Sequence, residues 1–414
     1  MQLCSLVLAA CVAGCGARES ALDSASDQPS VEVMHWLTSD RDAAALSVLR
    51  EGLTDRGGTW LNAPMPGAGG IGRSAVVSRI VGGNPPDVFQ FSLGAALDEL
   101  AAQDLVAPVP PLSGDEASLP PIVLRAASNA GRQIAIPIVI RGGNWLFYNE
   151  AVLRDAGVEA PRTWPEFMSA AAKLKASGKI PLALGGQPWQ ERLLFNAVLL
   201  GVGGRDFYRQ VYERLDPAAI RSQTMLRTYE TFAGLRGYVD PNSPGRRWNQ
   251  AANLLVRGEA AFLIMGDWAK SEIVAAGFTP GKEIGCALTP AAQGAYIMMI
   301  DAFAFSPTTS PAVSAGQALF ARTLRDPAVN VPLAQKMGAV PANLAVADTG
   351  FDRCSATALR LLQDPQTHLL DSSMSLAAGL AGAIDDAVSR FWNDRTMSPR
   401  QGHALLAETM IAGR

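Results

Sequence analysis

Histidine is scarce. The 414 residues contain three, His35, His368 and His403, and none falls near cysteines or carboxylates at metal-ligand spacing. No metal or cofactor is therefore expected. A Gly-x-Ser-x-Gly elbow, a phosphate loop ending in Gly-Lys-Ser/Thr and a Cys/His pairing suited to nucleophilic catalysis are all missing. The segment GAGGIG (67–72) lacks the spacing of a dinucleotide fingerprint behind a convincing strand. Charge is sparse too. Charged residues make up 18% and the formal net charge is -3, with no basic cluster of the kind a nucleic acid would require. Heptad seams, fixed-period repeats and long low-complexity tracts are also lacking.

What is present is apolar content, 48%, in a chain long enough for at least two packed lobes. Of five cysteines, three (Cys4, Cys11 and Cys15) lie within the first fifteen residues. Cys286 and Cys354 remain for the body. They either pair in an oxidising compartment or stay as two buried thiols, and the burial habit of free cysteine favours the thiols.

Residues 2–13, QLCSLVLAACVA, are apolar or small but too few to span a bilayer, which takes about 20. They read as the apolar region of a secretory signal, although no Lys or Arg precedes Arg18. The run ends in VAGC, which resembles the bacterial lipobox. Residues 1–15 are thus expected to be a lipoprotein signal, with Cys15 the acylated residue and Cys11, in LAAC, the alternative. Residues 16–30 form a flexible Ser/Ala/Asp-rich tether. Multiple acyl chains on one cysteine hold a soluble domain at a membrane.

Beyond the tether, strand-like runs alternate with amphipathic helices, implying an α/β fold with helices on both faces of a sheet. VEVMHW (31–36) and DVFQF (87–91) read as short buried strands. DAAALSVLREGL, with Leu46, Leu49 and Leu53 at helical spacing, and RSAVVSRIVGG read as helices. IAIPIVI (134–140) is strand-like, but Pro137 suggests a segment crossing between lobes. LFYNEAVLRDAGV and APRTWPEFMSAAAKLKASG are expected to be helical, the second capped by Thr163, with KIPLALGG a strand. Residues 191–275 read as mainly helical, AYIMMIDAFAFSP (295–307) as a strand, and the tail from about 355 as helical.

The blocks VSRIVGGNPPDVFQ (77–90), APRTWPEF (160–167), PLALGG (181–186), RGEAAFLIMGDW (257–268) and QGAYIMMIDAF (293–303) carry a resemblance. In their order and spacing, the chain is similar to extracellular solute-binding proteins of ABC sugar importers. The nearest subgroup is that of periplasmic glucose-binding proteins, related to maltose-binding protein. The resemblance covers about residues 31–410. It implies a two-lobe periplasmic-binding-protein fold of type II, maltose-binding-like, with a hinge and an interlobe ligand cleft. Residues 31–140 plus about 300–345 would form the N-terminal lobe, and 141–299 plus about 346–414 the C-terminal lobe. The partners implied are a sugar and the permease subunits of an ABC transporter in the inner membrane. The protein would be a periplasmic, membrane-anchored monomer and not an enzyme.

A pyranose offers apolar C–H faces and a rim of hydroxyls, so its site needs flat aromatic surface with charged or amide side chains at the edge. Carried over residue by residue, the resemblance points to Trp36, at the end of the first strand, Asp42 shortly after it, and Gln90 closing DVFQ. In the second half it points to Trp248, Asp267, Trp268, Asp301 and Lys336. Trp189 and Gln190 follow the LALGG strand and are added as cleft-lining candidates. Asp301 lies inside an apolar run and must have a partner, for which sugar hydroxyls are candidates. Asp267 reads equally well as a structural cap. The chain departs from the glucose binders at Leu37, Ser92 and Ser375, where they carry Trp, His and His, which leaves the sugar's identity open. Two other functions fit less well: a glycoside hydrolase, which needs the same aromatics and carboxylates, and a binder of a non-sugar solute.

Overall fold

The computed structural model describes residues 28–38, 42–65, 70–110, 119–345 and 350–413. Among these the strands are, in chain order, β1 (Ser30–His35), β2 (Thr59–Pro64), β3 (Val88–Ser92), β4 (Ser128–Asn129), β5 (Arg132–Gln133), β6 (Ala135–Gly142), β7 (Trp145–Asn149), β8 (Ile180–Ala183), β9 (Ala260–Met265), β10 (Ile284–Leu288), β11 (Tyr296–Phe305), β12 (Val340–Pro341) and β13 (His368–Leu370). A large sheet has the order β12-β6-β11-β3-β1-β2, with β13 beside the start of β11. A smaller sheet has the order β10-β7-β9-β8.

In the large sheet β1 runs parallel to β2 and β3, while β11 runs antiparallel to β3 and β6. Parallel neighbours need a crossover, and the helices Asp42–Thr54 and Gly70–Val81 provide it. Val31, Val33, Leu49 and Leu53 are fully buried, in line with the expected first strand and helix. β2 carried no sequence signal. It is an edge strand with largely solvent-facing residues, so no apolar alternation marks it.

Two expectations are corrected. Pro137 lies inside β6, a strand paired on both sides, and not in a crossing segment. The ring fits because the pairing with β11 shifts register there, Asp301 facing Val139 and Ala302 facing Pro137, while β12 reaches only Ile140 and Val139. LFYN is strand β7 and not the start of a helix. It lies between β10 and β9, and the helix Glu150–Asp155 begins only where Asn149 Oδ1 accepts the Ala151 and Val152 amides. The expected cap at Thr163 is present, its Oγ1 accepting the Glu166 amide at 3.3 Å.

The chain leaves the large sheet after Gly142 and enters the small one at Trp145; it returns between Leu288 and Tyr296. Buried Asn144 stitches the two passages together. Its Nδ2 donates to the Ala295 carbonyl at 2.9 Å and its Oδ1 accepts the Ile297 amide at 2.9 Å. A third connection follows β12. Here Cys286 on β10 and Cys354 in the helix Arg353–Leu362 form a disulfide, so the two cysteines are not free thiols. Burial does not discriminate between the two outcomes; the proximity of β10 to that helix, visible only in three dimensions, decides it.

Candidate functional site

In open α/β sheets ligands sit beyond the carboxyl ends of strands. Trp36 follows β1, Gln90 lies near the end of β3, and Asp301 pairs with Ser92 at that same end. Trp189 follows β8, and Asp267 and Trp268 follow β9. The carboxyl ends of both sheets therefore supply Trp36, Gln90, Trp189, Asp267 and Trp268, whereas Asp42, Trp248 and Lys336 lie at helix ends. Trp36, Trp189, Trp248 and Trp268, all half-buried, pack against one apolar cluster that draws residues from both sheets, including Phe89 of β3 and Leu263 of β9.

Each indole is positioned by its neighbours. The Trp36 amide donates to Gln90 Oε1 at 3.3 Å. Gln90 is fully buried, and its Nε2 has no partner among the described residues. It therefore ties down the main chain at Trp36. Trp268 folds back over Gly266, where any side-chain carbon would overlap the indole. The Trp268 and Trp189 ring centroids lie 6.0 Å apart. Trp248 opens the helix Trp248–Val256, where the Arg247 amide donates to Gln250 Oε1 at 2.9 Å.

Asp301 is 7% exposed, and its partner is Arg141, whose Nε donates to Oδ2 at 2.8 Å. The expectation of a partner is met within the protein. Oδ1 accepts no hydrogen bond from the described residues. Arg141 also donates to the Met337 carbonyl at 3.2 Å and lies 5.9 Å from the Trp268 ring centroid. It was missed by sequence reasoning, although a cation closing the apolar run IAIPIVI is a visible signal.

Asp267 and Gln190 are packed into the protein. Asp267 Oδ2 accepts the Gly142 amide at 2.9 Å and its own amide donates back to the Gly142 carbonyl at 3.0 Å. Burial pushes its carboxyl pKa up to about 7, against the pull of the Lys270 and Arg141 charges. Lys270 is itself held by Asp352 at 3.0 Å and by Ser355. Gln190 Nε2 donates to Gln187 Oε1 at 2.8 Å, and a side-chain carbon at Gly185 would overlap the Gln190 amide. Lys336 is exposed at the end of the helix Pro327–Lys336, next to Met337. Asp42 opens the first helix, but its side chain lies outside the described set, as do Cys15 and the signal and tether. Of the serines at departed positions, Ser92 ends β3, and Ser375 is in the short helix Ser372–Ser375, where its Oγ faces the Asp371 carbonyl. No group of three or more His, Cys, Asp or Glu suited to a metal occurs among the described residues.

Residues 65–315 match the family model described as bacterial extracellular solute-binding protein. A probable sugar-binding periplasmic protein of Brucella suis is 34% identical over 421 residues, covering 100% of this chain and 99% of that one. Another probable sugar-binding periplasmic protein, from Mesorhizobium japonicum, is 35% identical over 379 residues, 89% of this chain and 90% of that one. Among solved structures, a chitin oligosaccharide binding protein superposes with a TM-score of 0.79 at 18% identity, covering 94% of this chain and 99% of the other. The maltose-maltodextrin binding protein of Alicyclobacillus acidocaldarius gives 0.69 at 17%, covering 92% and 100%. At such identities the likeness is one of fold: the two lobes of a maltose-binding-like periplasmic binding protein.

Proposed function

The chain belongs to the bacterial extracellular solute-binding protein family, and we propose that its solute is a sugar, held between the lobes and handed to the permease of an ABC importer. The observation that carries this reading is the placement of Trp36, Trp189 and Trp268 beyond the carboxyl ends of strands of the two sheets, with the Trp189 and Trp268 rings 6.0 Å apart. Asp301 lies at the same edge with one oxygen available to a hydroxyl. Indole faces suit the C–H surface of a pyranose, and a carboxylate at the rim suits its hydroxyls. The names of the relatives, probable sugar-binding periplasmic proteins, support the same reading.

The N-terminal lobe is taken as residues 31–140 plus about 300–345 and the C-terminal lobe as 141–299 plus about 346–414; most strands follow this division, β13 of the large sheet being an exception. Sugar binding favours closure of these lobes, a population shift with no bond chemistry. The Asp301 charge is answered by Arg141 inside the protein, which suits an uncharged polyol better than a cationic solute. The protein is a periplasmic monomer held to the membrane through lipidated Cys15, and it is a binder, not a hydrolase. Within the site, Gln90, Gln190 and Asp267 act from behind the indoles; Asp42 and Lys336 are kept as rim candidates.

A thermal-shift panel of mono- and disaccharides tests the reading. A sugar at 100 times its dissociation constant adds about 2.7 kcal/mol of stability. A panel in which no saccharide moves the melting temperature would sink it. Cleavage of labelled oligosaccharides by the pure protein, lost on Asp301→Asn, would transfer the chain to the hydrolases instead.

A further inference from the structure

Arg141 touches three parts of the site at once. It is the penultimate residue of β6, with its side chain 12% exposed. Its Nε binds Asp301 Oδ2 at 2.8 Å, its Nη1 the Met337 carbonyl at 3.2 Å, and its Cζ lies 5.9 Å from the Trp268 ring centroid. Asp301 stands on β11 of the large sheet, whereas Trp268 stands just past β9 of the small one. One planar cation thus links a carboxylate of one sheet to an indole of the other. With Oδ2 committed to a charge-assisted bond, Asp301 cannot rotate to exchange its oxygens without breaking that bond. Trp268 is confined by Gly266 behind it and by Trp189 beside it. A carboxylate oxygen and a flat aromatic face therefore stand in one fixed relation.

We propose that Arg141 is a specificity-determining positioning residue of the solute site: it sets Asp301 Oδ1 against the Trp268 face, so that rings with a hydroxyl at the matching edge are preferred over their epimers. This rests on the sugar reading above. Lysine at 141 keeps the charge but loses the planar fork that holds two acceptors beside an indole.

The test compares the wild type, Arg141→Lys, and the double variant Arg141→Met/Asp301→Asn, which removes both members of the ion pair. Two readouts are used. The first is near-ultraviolet circular dichroism of the sugar-free protein, with and without Trp268→Phe. Arg141→Lys is expected to change the indole bands in the wild-type background and not in the Trp268→Phe background. The second is calorimetric affinity for the best saccharide of the panel and for its epimers. Arg141→Lys is expected to weaken the best sugar on the order of 10- to 100-fold and to flatten the preference over epimers, with the sugar-free melting temperature little changed. Full affinity and undiminished epimer preference in both variants would overturn the proposal while leaving sugar binding intact. If no saccharide binds the wild type, the sugar reading fails and the spectra decide: bands unchanged by Arg141→Lys overturn the proposal, and a change confined to Trp268 upholds its positioning role.

Discussion

Asp267 has one carboxylate oxygen on the Gly142 amide and the other, also buried, without a partner among the described residues. Its folded pKa, about 7, is above the ordinary 3.8 because burial disfavours the ionised form. The unfolded chain therefore loses this proton first as pH rises. Between about pH 4 and pH 7 the group costs stability progressively, and above that the cost is constant. Asp267→Asn keeps an acceptor for Gly142 and cannot ionise. The variant is expected to be more stable than the wild type at pH 8, with the difference shrinking towards pH 4; urea titrations across that range measure it. Glu191 and Asp385 are raised by burial too, so the difference between the two proteins, not the absolute profile, isolates Asp267. Trp268→Ala should weaken sugar affinity by about 1–3 kcal/mol by calorimetry, the scale of a stacked aromatic contact and its buried area.

The elements that carry these residues are held by a few specific ties. Gly142 ends β6 in contact with Trp145 and Tyr296, and a side-chain carbon there would overlap both. Gly142→Ala is expected to destabilise the fold by about 1–3 kcal/mol, the range for overpacking, seen as a lower urea midpoint. The helix Pro188–Tyr212, which begins beside Trp189, is pinned to the segment after β13 by ion pairs of Arg192 to Asp371 and Asp385, each at 2.6 Å. The Cys286–Cys354 bond spans 68 residues. Loop-closure entropy for a span of that size is worth about 4 kcal/mol. Reduction should lower the stability by up to that amount, and denaturation with and without reductant measures it. Since the helix Arg353–Leu362 also carries Ser355, which with Asp352 holds Lys270, reduction should loosen the region behind Trp268 as well.

Across the whole molecule, Asn144 and the paired Gly142 and Asp267 join the sheets where the chain passes between them. Closure about this junction is expected to decrease the radius of gyration when the bound sugar is added, as small-angle scattering would record; an unchanged radius would count against a closing clamp. Cys15→Ser should move the protein from the membrane to the soluble fraction, and persistence in the membrane fraction would point to Cys11 or to no lipidation.

The strongly patterned segments were legible in advance. Val31 and Val33, Leu49 and Leu53, and the apolar run of β11 announce themselves by periodicity, and Thr163 by its capping chemistry. The site candidates come mainly from the family resemblance, with Trp36 and Trp268 marked also by their places at strand ends and Asp301 by the need of a buried carboxylate for a partner. The partners themselves were not legible. Arg141 for Asp301, Gly142 for Asp267 and Cys354 for Cys286 lie 160, 125 and 68 positions apart. Edge strand β2 faces solvent, and LFYN runs directly into the helical EAVLRD, so that the strand β7 is distinct only once β9 and β10 flank it. Periodicity and capping act within a few residues, so the sequence alone determines them. Pairings across such separations depend on which strands become neighbours, and only the tertiary structure decides that.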